Sequence, residues 1–204
     1  MSEYIDKIIY INLEKRNDRK TQIENELKLF EIDAERYNAI ENKTGIIGCT
    51  ESHLNILKLA KERNYKNILI LEDDFTFIVS KKDFEDNLRQ FFESKAGLDY
   101  DVCMISYYII KHEELKEYKF INKIIEAQTA SGYLVNCKYY DKLINILEYG
   151  LEFLIKTGEH WNYANDQIWK KLQPKDNWYY FTTRLGKQRP SYSDTANCFS
   201  DYSV

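Results

Sequence analysis

Two prolines and seven glycines are few for 204 residues. Such a chain has little material for flexible linkers, so residues 1–204 read as one domain. No run approaches the ~20 apolar residues of a membrane span. Glu3, Asp6 and Lys7 break any apolar leader at the N-terminus. The four cysteines, Cys49, Cys103, Cys137 and Cys198, form no CxxC pair and no Cys/His cluster at zinc spacing. Buried free thiols are the expectation for Cys103 and Cys137, and a reducing, cytoplasmic setting for the protein. A basic excess is also missing. With 29 Lys and Arg against 33 Asp and Glu the net charge is −4, which argues against a nucleic-acid partner. What is present is 44% hydrophobic and 15% aromatic content, enough for a sizeable core.

Short apolar runs alternate with amphipathic stretches. Strands are expected at 7–13, 34–40, 66–71, 101–106, 132–136 and 178–181. Between them, Asn17 or Asp18 caps a helix with Ile23, Leu27 and Phe30 on one face. Thr50 is placed to cap a second helix, and Ser80 with Asp83 forms a capping box for a third that Gly97 ends. Further helices are expected from Lys138 to Ile155 and from Asn165 to Leu172. The stretch 107–126 reads as irregular or a hairpin, and the chain after Thr182 as polar and aperiodic. Strands alternating with helices imply a Rossmann-type α/β domain, a mainly parallel sheet with helices on both faces. Ligands of such sheets bind beyond the carboxyl ends of the strands.

One strand ends in three carboxylates, in the stretch "ILILEDDFTF". Alternation along an extended segment sends Glu72 and Asp74 one way and Asp73 the other. Two carboxylates on one side suit a hard divalent cation with oxygen ligands. A solvated loop start is the alternative.

Four blocks make the chain resemble glycosyltransferase family 25, which includes lipo-oligosaccharide and collagen galactosyltransferases. They are "YINLEKRNDRKTQI", "RYNAIE", "GCTESHLNILKLAKERNYKNILILEDDFTF", and a late group of "GYLVN", "NDQIW" and "LGKQRPSYSD". All follow in one collinear order over nearly the whole chain. Arg184 stands where the family often has proline, and 107–126 matches nothing in it.

The resemblance implies a GT-A-type fold and metal-dependent, inverting transfer of a hexose from a UDP-sugar. Galactose is the first choice and glucose the second. A glycan, or a hydroxylated protein or lipid, is the implied acceptor. Mn²⁺, or Mg²⁺, would be held by Glu72 and Asp74, with Asp194 as a third ligand from the tail. Asn12, Leu13, Arg16, Arg19, Glu41, Ser52, His53, Asp73 and Gln188 would bind substrate. In particular, Arg19 would meet a phosphate oxygen, and Ser52 and His53 would sit at a helix N-terminus. Asp166 would be the general base. A non-catalytic sugar binder and a metal-dependent nucleotidyltransferase are the rival readings. The second lacks its usual glycine-rich basic loop after the first strand.

Overall fold

The computed structural model describes residues 3–193 and 198–201. In chain order its elements are β1 (Lys7–Asn12), α1 (Asn17–Leu29), β2 (Glu35–Asn38), α2 (Gly45–Glu62), β3 (Asn67–Glu72), β4 (Phe75–Phe77), α3 (Lys81–Phe92), α4 (Lys95–Leu98), β5 (Val102–Glu114) and β6 (Ile121–Asn136). Then come α5 (Tyr140–Thr157), α6 (His160–Tyr163), α7 (Asn165–Ile168), β7 (Trp178–Phe181), β8 (Gly186–Gln188), β9 (Ser191–Ser193) and β10 (Cys198–Ser200).

Six strands form one sheet in the order β2-β1-β3-β6-β5-β7. Within it β6 runs opposite to the other five, so the sheet is mainly parallel, as expected. The period-two pattern of the strands divides the core in two. Ile9, Ile11, Ile68, Ile70, Val102, Met104, Tyr133 and Trp178 face α2 and α5. Their sequence neighbours Ile8, Tyr10, Leu69, Leu71, Cys103, Leu134 and Phe181 face α1 and α3. The expected helices on both faces are thus present, each covering one side of the pleat. The register aligns Asn12 with Asn38 and Ile11 with Glu72, so β1, β2 and β3 end together.

Of the two readings of 107–126 it is the hairpin that forms, β5 running on to Glu114 and β6 returning from Ile121, while several other expectations change. The distal half of β5 is exposed, so it lacks the hydrophobic period that marks a buried strand. The second helix begins at Gly45, so Thr50 is buried inside it rather than capping it, and its hydroxyl accepts from the Asn165 amide at 3.3 Å. Ser80 does cap α3 by accepting from the Asp83 amide, but α3 stops at Phe92, and Gly97 lies in the separate short α4. The segment after Thr182 is not aperiodic: β8 pairs with β4 and β9 with β10. Cys103 is buried, but Cys137 is exposed where the chain leaves the sheet.

β4 follows the acidic triplet directly, and its Phe75 is fully buried beneath β8. A Cβ at Gly186 would lie 2.1 Å from the Phe75 ring, which has no room to retreat. Gly186→Ala should therefore overpack this contact and cost about 1–3 kcal/mol. The urea midpoint should fall accordingly, and an unchanged midpoint would show that Phe75 has space to move.

Candidate active site

At the common ends of β1, β2 and β3 lies a cavity of about 480 Å³. That volume is within the range of small-ligand sites. Asn12, Leu13, Arg19, Glu41, Gln188 and all three acidic residues line it.

The strand ends at Glu72, so Asp73 and Asp74 fall in a turn and strand alternation no longer governs them. Both are buried, and both are drawn to one guanidinium. Arg19 Nη1 lies 2.9 Å from Asp73 Oδ1 and 3.0 Å from Asp74 Oδ2. Its Nη2 donates to Ser191 Oγ at 2.6 Å and to the Tyr192 carbonyl at 2.9 Å. Arg19, expected to meet a phosphate, lines the cavity and is also bonded to the acidic turn and the late β9 segment. The cause is electrostatic: two adjacent buried carboxylates require a close cation.

Asp73 is occupied on both oxygens, since Asn12 Nδ2 donates to Oδ2 at 2.8 Å. Asn12 is itself saturated, with its second amide hydrogen on the Arg16 carbonyl and its oxygen accepting from Arg36 Nε. Asn12 and Asp73, both expected at the substrate, line the cavity and also hold the turn together. Asp74 Oδ2 also accepts from Gln188 Nε2 at 3.1 Å, while Asp74 Oδ1 is buried with no partner among the described residues. Burial, then the neighbouring Glu72 charge, push Asp74 up to about 7 against the pull of Arg19. An oxygen-rich site with an orphaned carboxylate oxygen and surplus negative charge fits a hard divalent cation.

Glu72 turns toward α2. His53 Nε2 lies 3.0 Å from Glu72 Oε1, and Cys49 Sγ donates to the same oxygen at 3.6 Å. His53 Nδ1 lies 2.8 Å from the Tyr133 hydroxyl. A neutral ring protonated on Nε2 satisfies all three groups, donating to Glu72 and accepting from Tyr133. Helix α2 divides its work by i, i+4 pairs. Cys49 and His53 face Glu72, while Gly48 and Ser52 face the backbone after β2. A Cβ on Gly48 would lie 2.3 Å from the Ile40 carbonyl, so only glycine permits this approach. Ser52 Oγ donates to the Gly48 carbonyl and accepts from the Ile40 amide.

Ser52 and His53 therefore do not sit at a helix N-terminus and are buried away from the cavity. Their expected substrate contacts are replaced by packing ones, because α2 starts six residues before Glu51. Arg16 is not among the cavity-lining residues and pairs with Asp18. Glu41 lines the cavity and pairs with Lys15 at 2.7 Å. Asp166 does not line it. Its Oδ2 accepts from the Thr129 amide at 3.1 Å, and burial raises it above the usual carboxylate range while that amide pulls it down. Thr129 has φ 85°, a strained value for a β-branched residue that Asp166 helps to hold. Asp194 lies outside the described residues. Reading the sequence left Arg36, Cys49 and Tyr133 without roles. Only the Cys49–His53 spacing was there to be seen, since Arg36 and Tyr133 are brought in by strand pairing.

The family model described as "Glycosyltransferase family 25 (LPS biosynthesis protein)" matches residues 43–169, more than half of the chain. The chain belongs to glycosyltransferase family 25. A "Glycosyltransferase 25 family member" of Drosophila melanogaster is 24% identical over 186 residues, covering 71% of this chain. The match takes in 30% of the fly protein, so the chain spans about a third of that relative's length. Among solved structures, the galactosyltransferase LgtC in complex with donor and acceptor sugar analogues aligns over 85% of this chain and 72% of its own, at 13% identity and a TM-score of 0.47. The glycosyltransferase GlyE of Streptococcus pneumoniae TIGR4 aligns over 86% and 38%, at 16% identity and a TM-score of 0.44. Likeness this loose has no bearing on the chemistry of the family 25 site.

Arg19 is the nearest counter-charge of the acidic turn. Arg19→Gln should leave two buried carboxylates uncompensated and cost about 3–5 kcal/mol in metal-free buffer. Lys61→Gln, which removes the exposed pair with Asp141, should leave the midpoint where it is. Equal small effects in chemical denaturation would mean that Arg19 does not neutralise the turn.

Proposed function

We propose that this family 25 chain transfers a hexose from a UDP-sugar, in a metal-dependent reaction that inverts the anomeric centre. Galactose is the first-choice sugar, and a saccharide or hydroxylated side chain the acceptor. The carrying observation is the cavity at the ends of β1, β2 and β3, where the buried Asp74 Oδ1 has no partner among the described residues.

Mn²⁺ or Mg²⁺ held by Glu72 and Asp74 would neutralise charge on the departing diphosphate. Asp73 serves the site indirectly, by tying the turn to Asn12 and Arg19. Gln188 fixes one Asp74 oxygen, and the other is the one left to a cation. Lys15 and Lys43 line the cavity and supply positive charge where a diphosphate would lie. Glu41 stands at the end of the second strand, within reach of a ribose or base. Asp166 lies outside the cavity lining but close enough to Glu72 for their charges to interact, and we assign it the proton of the attacking hydroxyl. Among the described residues no helix is long and apolar enough to cross a membrane. The reduced cysteines favour a cytoplasmic site of action.

EDTA should abolish transfer, and Mn²⁺ should restore it. Asp74→Asn should lose Mn²⁺-dependent UDP binding, read by calorimetry, together with turnover. Full activity in chelator would remove the metal assignment.

Asp166→Asn keeps the shape but cannot accept the proton, so turnover should fall by roughly 10²–10⁴. UDP affinity should hold nearly constant. If UDP binding fell in step with turnover, Asp166 would belong to the donor site instead.

A further inference from the structure

We propose that Cys49, His53 and Glu72 form a site for a thiophilic divalent cation of the zinc class, which shares only Glu72 with the oxygen site at Asp74. Their ligand atoms all lie within 4.8 Å of one another. Two of the separations are 3.6 Å for Sγ to Oε1 and 3.0 Å for Nε2 to Oε1. Zinc bonds of about 2.3 Å to sulfur and about 2.0–2.1 Å to nitrogen or oxygen give tetrahedral edges of about 3.3–3.6 Å. Two edges already lie near that shape, and the sulfur–nitrogen separation, bounded at 4.8 Å, closes toward about 3.5 Å when the ion enters.

Three further features of the structure favour a cation here. Cys49 and His53 are four residues apart on α2, so the helix itself holds sulfur and nitrogen on one face. Tyr133, brought across from β6, bonds Nδ1 at 2.8 Å, which orients Nε2 toward the trio as an outer partner of a metal-bound histidine does. Cys49 and Glu72 also line the cavity, which gives the ion a path in and leaves a fourth position to water. As the sulfur–metal bond forms, the thiol proton leaves to solvent. The ring proton moves from Nε2 to Nδ1, where it donates to the Tyr133 oxygen. Sulfur and imidazole select against Mn²⁺ and Mg²⁺, so the two sites differ in the cation they prefer. On the donor reading, zinc here competes for Glu72 and opposes transfer. The site itself does not depend on that reading.

Co²⁺ titrated into the EDTA-stripped chain tests the proposal without UDP or transfer. A thiolate-to-cobalt absorption band should grow to one equivalent and vanish when Zn²⁺ is added. Cys49→Ser should remove the band and weaken Co²⁺ binding at least about 10-fold, while Cys137→Ser, at an exposed thiol, should keep it. Absence of the band in the wild type, or its survival in Cys49→Ser, overturns the proposal. A wild-type measurement covers the case in which Cys49→Ser does not fold. Saturating Zn²⁺ should shield Cys49 from alkylation, mapped by peptide mass, and equal labelling with and without Zn²⁺ overturns the site.

Discussion

The buried pairing of Arg19 with Asp73 and Asp74 is the constraint on which the rest of the site depends. Consecutive aspartates at a strand end repel one another and lose hydration when buried, so the turn can close only around a cation. Arg19 reaches it because α1 starts five residues after β1 ends, which carries the guanidinium back over the neighbouring strand. Its other nitrogen holds Ser191 and Tyr192. One side chain thereby joins the first strand–helix unit, the acidic turn and the late β9 segment. With Arg19 placed in this way, one oxygen of Asp74 still has no partner among the described residues, and Asp74 lines the cavity.

The second support comes from α2. Four residues, Gly48, Cys49, Ser52 and His53, each have a separate physical task. Gly48 allows the helix to touch the Ile40 carbonyl, and Ser52 bonds both sides of that contact. Cys49 and His53 hold Glu72, and Tyr133 holds His53. The antiparallel β6 makes this last contact possible. Its register sets Tyr133 opposite Ile70, on the face that α2 covers.

Asp166 and Thr129 show a different balance. Thr129 holds a left-handed backbone at a place where the β5–β6 register slips, and Asp166 accepts its amide. A carboxylate anchored to strained backbone is held still without being fully neutralised. That combination suits a group that must take a proton from a fixed direction.

Local pattern by itself determined the strands at Lys7, Asn67 and Trp178, the helix faces of α1 and α3, and the α/β class. Each depends on spacing along the chain, so sequence periodicity suffices. Alternation alone left the acidic triplet open between a cation site and a solvated loop start, and the burial of Asp73 and Asp74 speaks against the second. Tertiary structure alone decided what each carboxylate does. Strand alternation ended at Glu72, so Asp73 and Asp74 followed the nearest cation instead of the pleat. It also decided that Ser52 and His53 pack inside a helix that starts at Gly45. Tyr133 and Arg36 met the site only through strand pairing. Charge compensation and cross-strand contact act between residues far apart in sequence, and no local pattern encodes which partners meet.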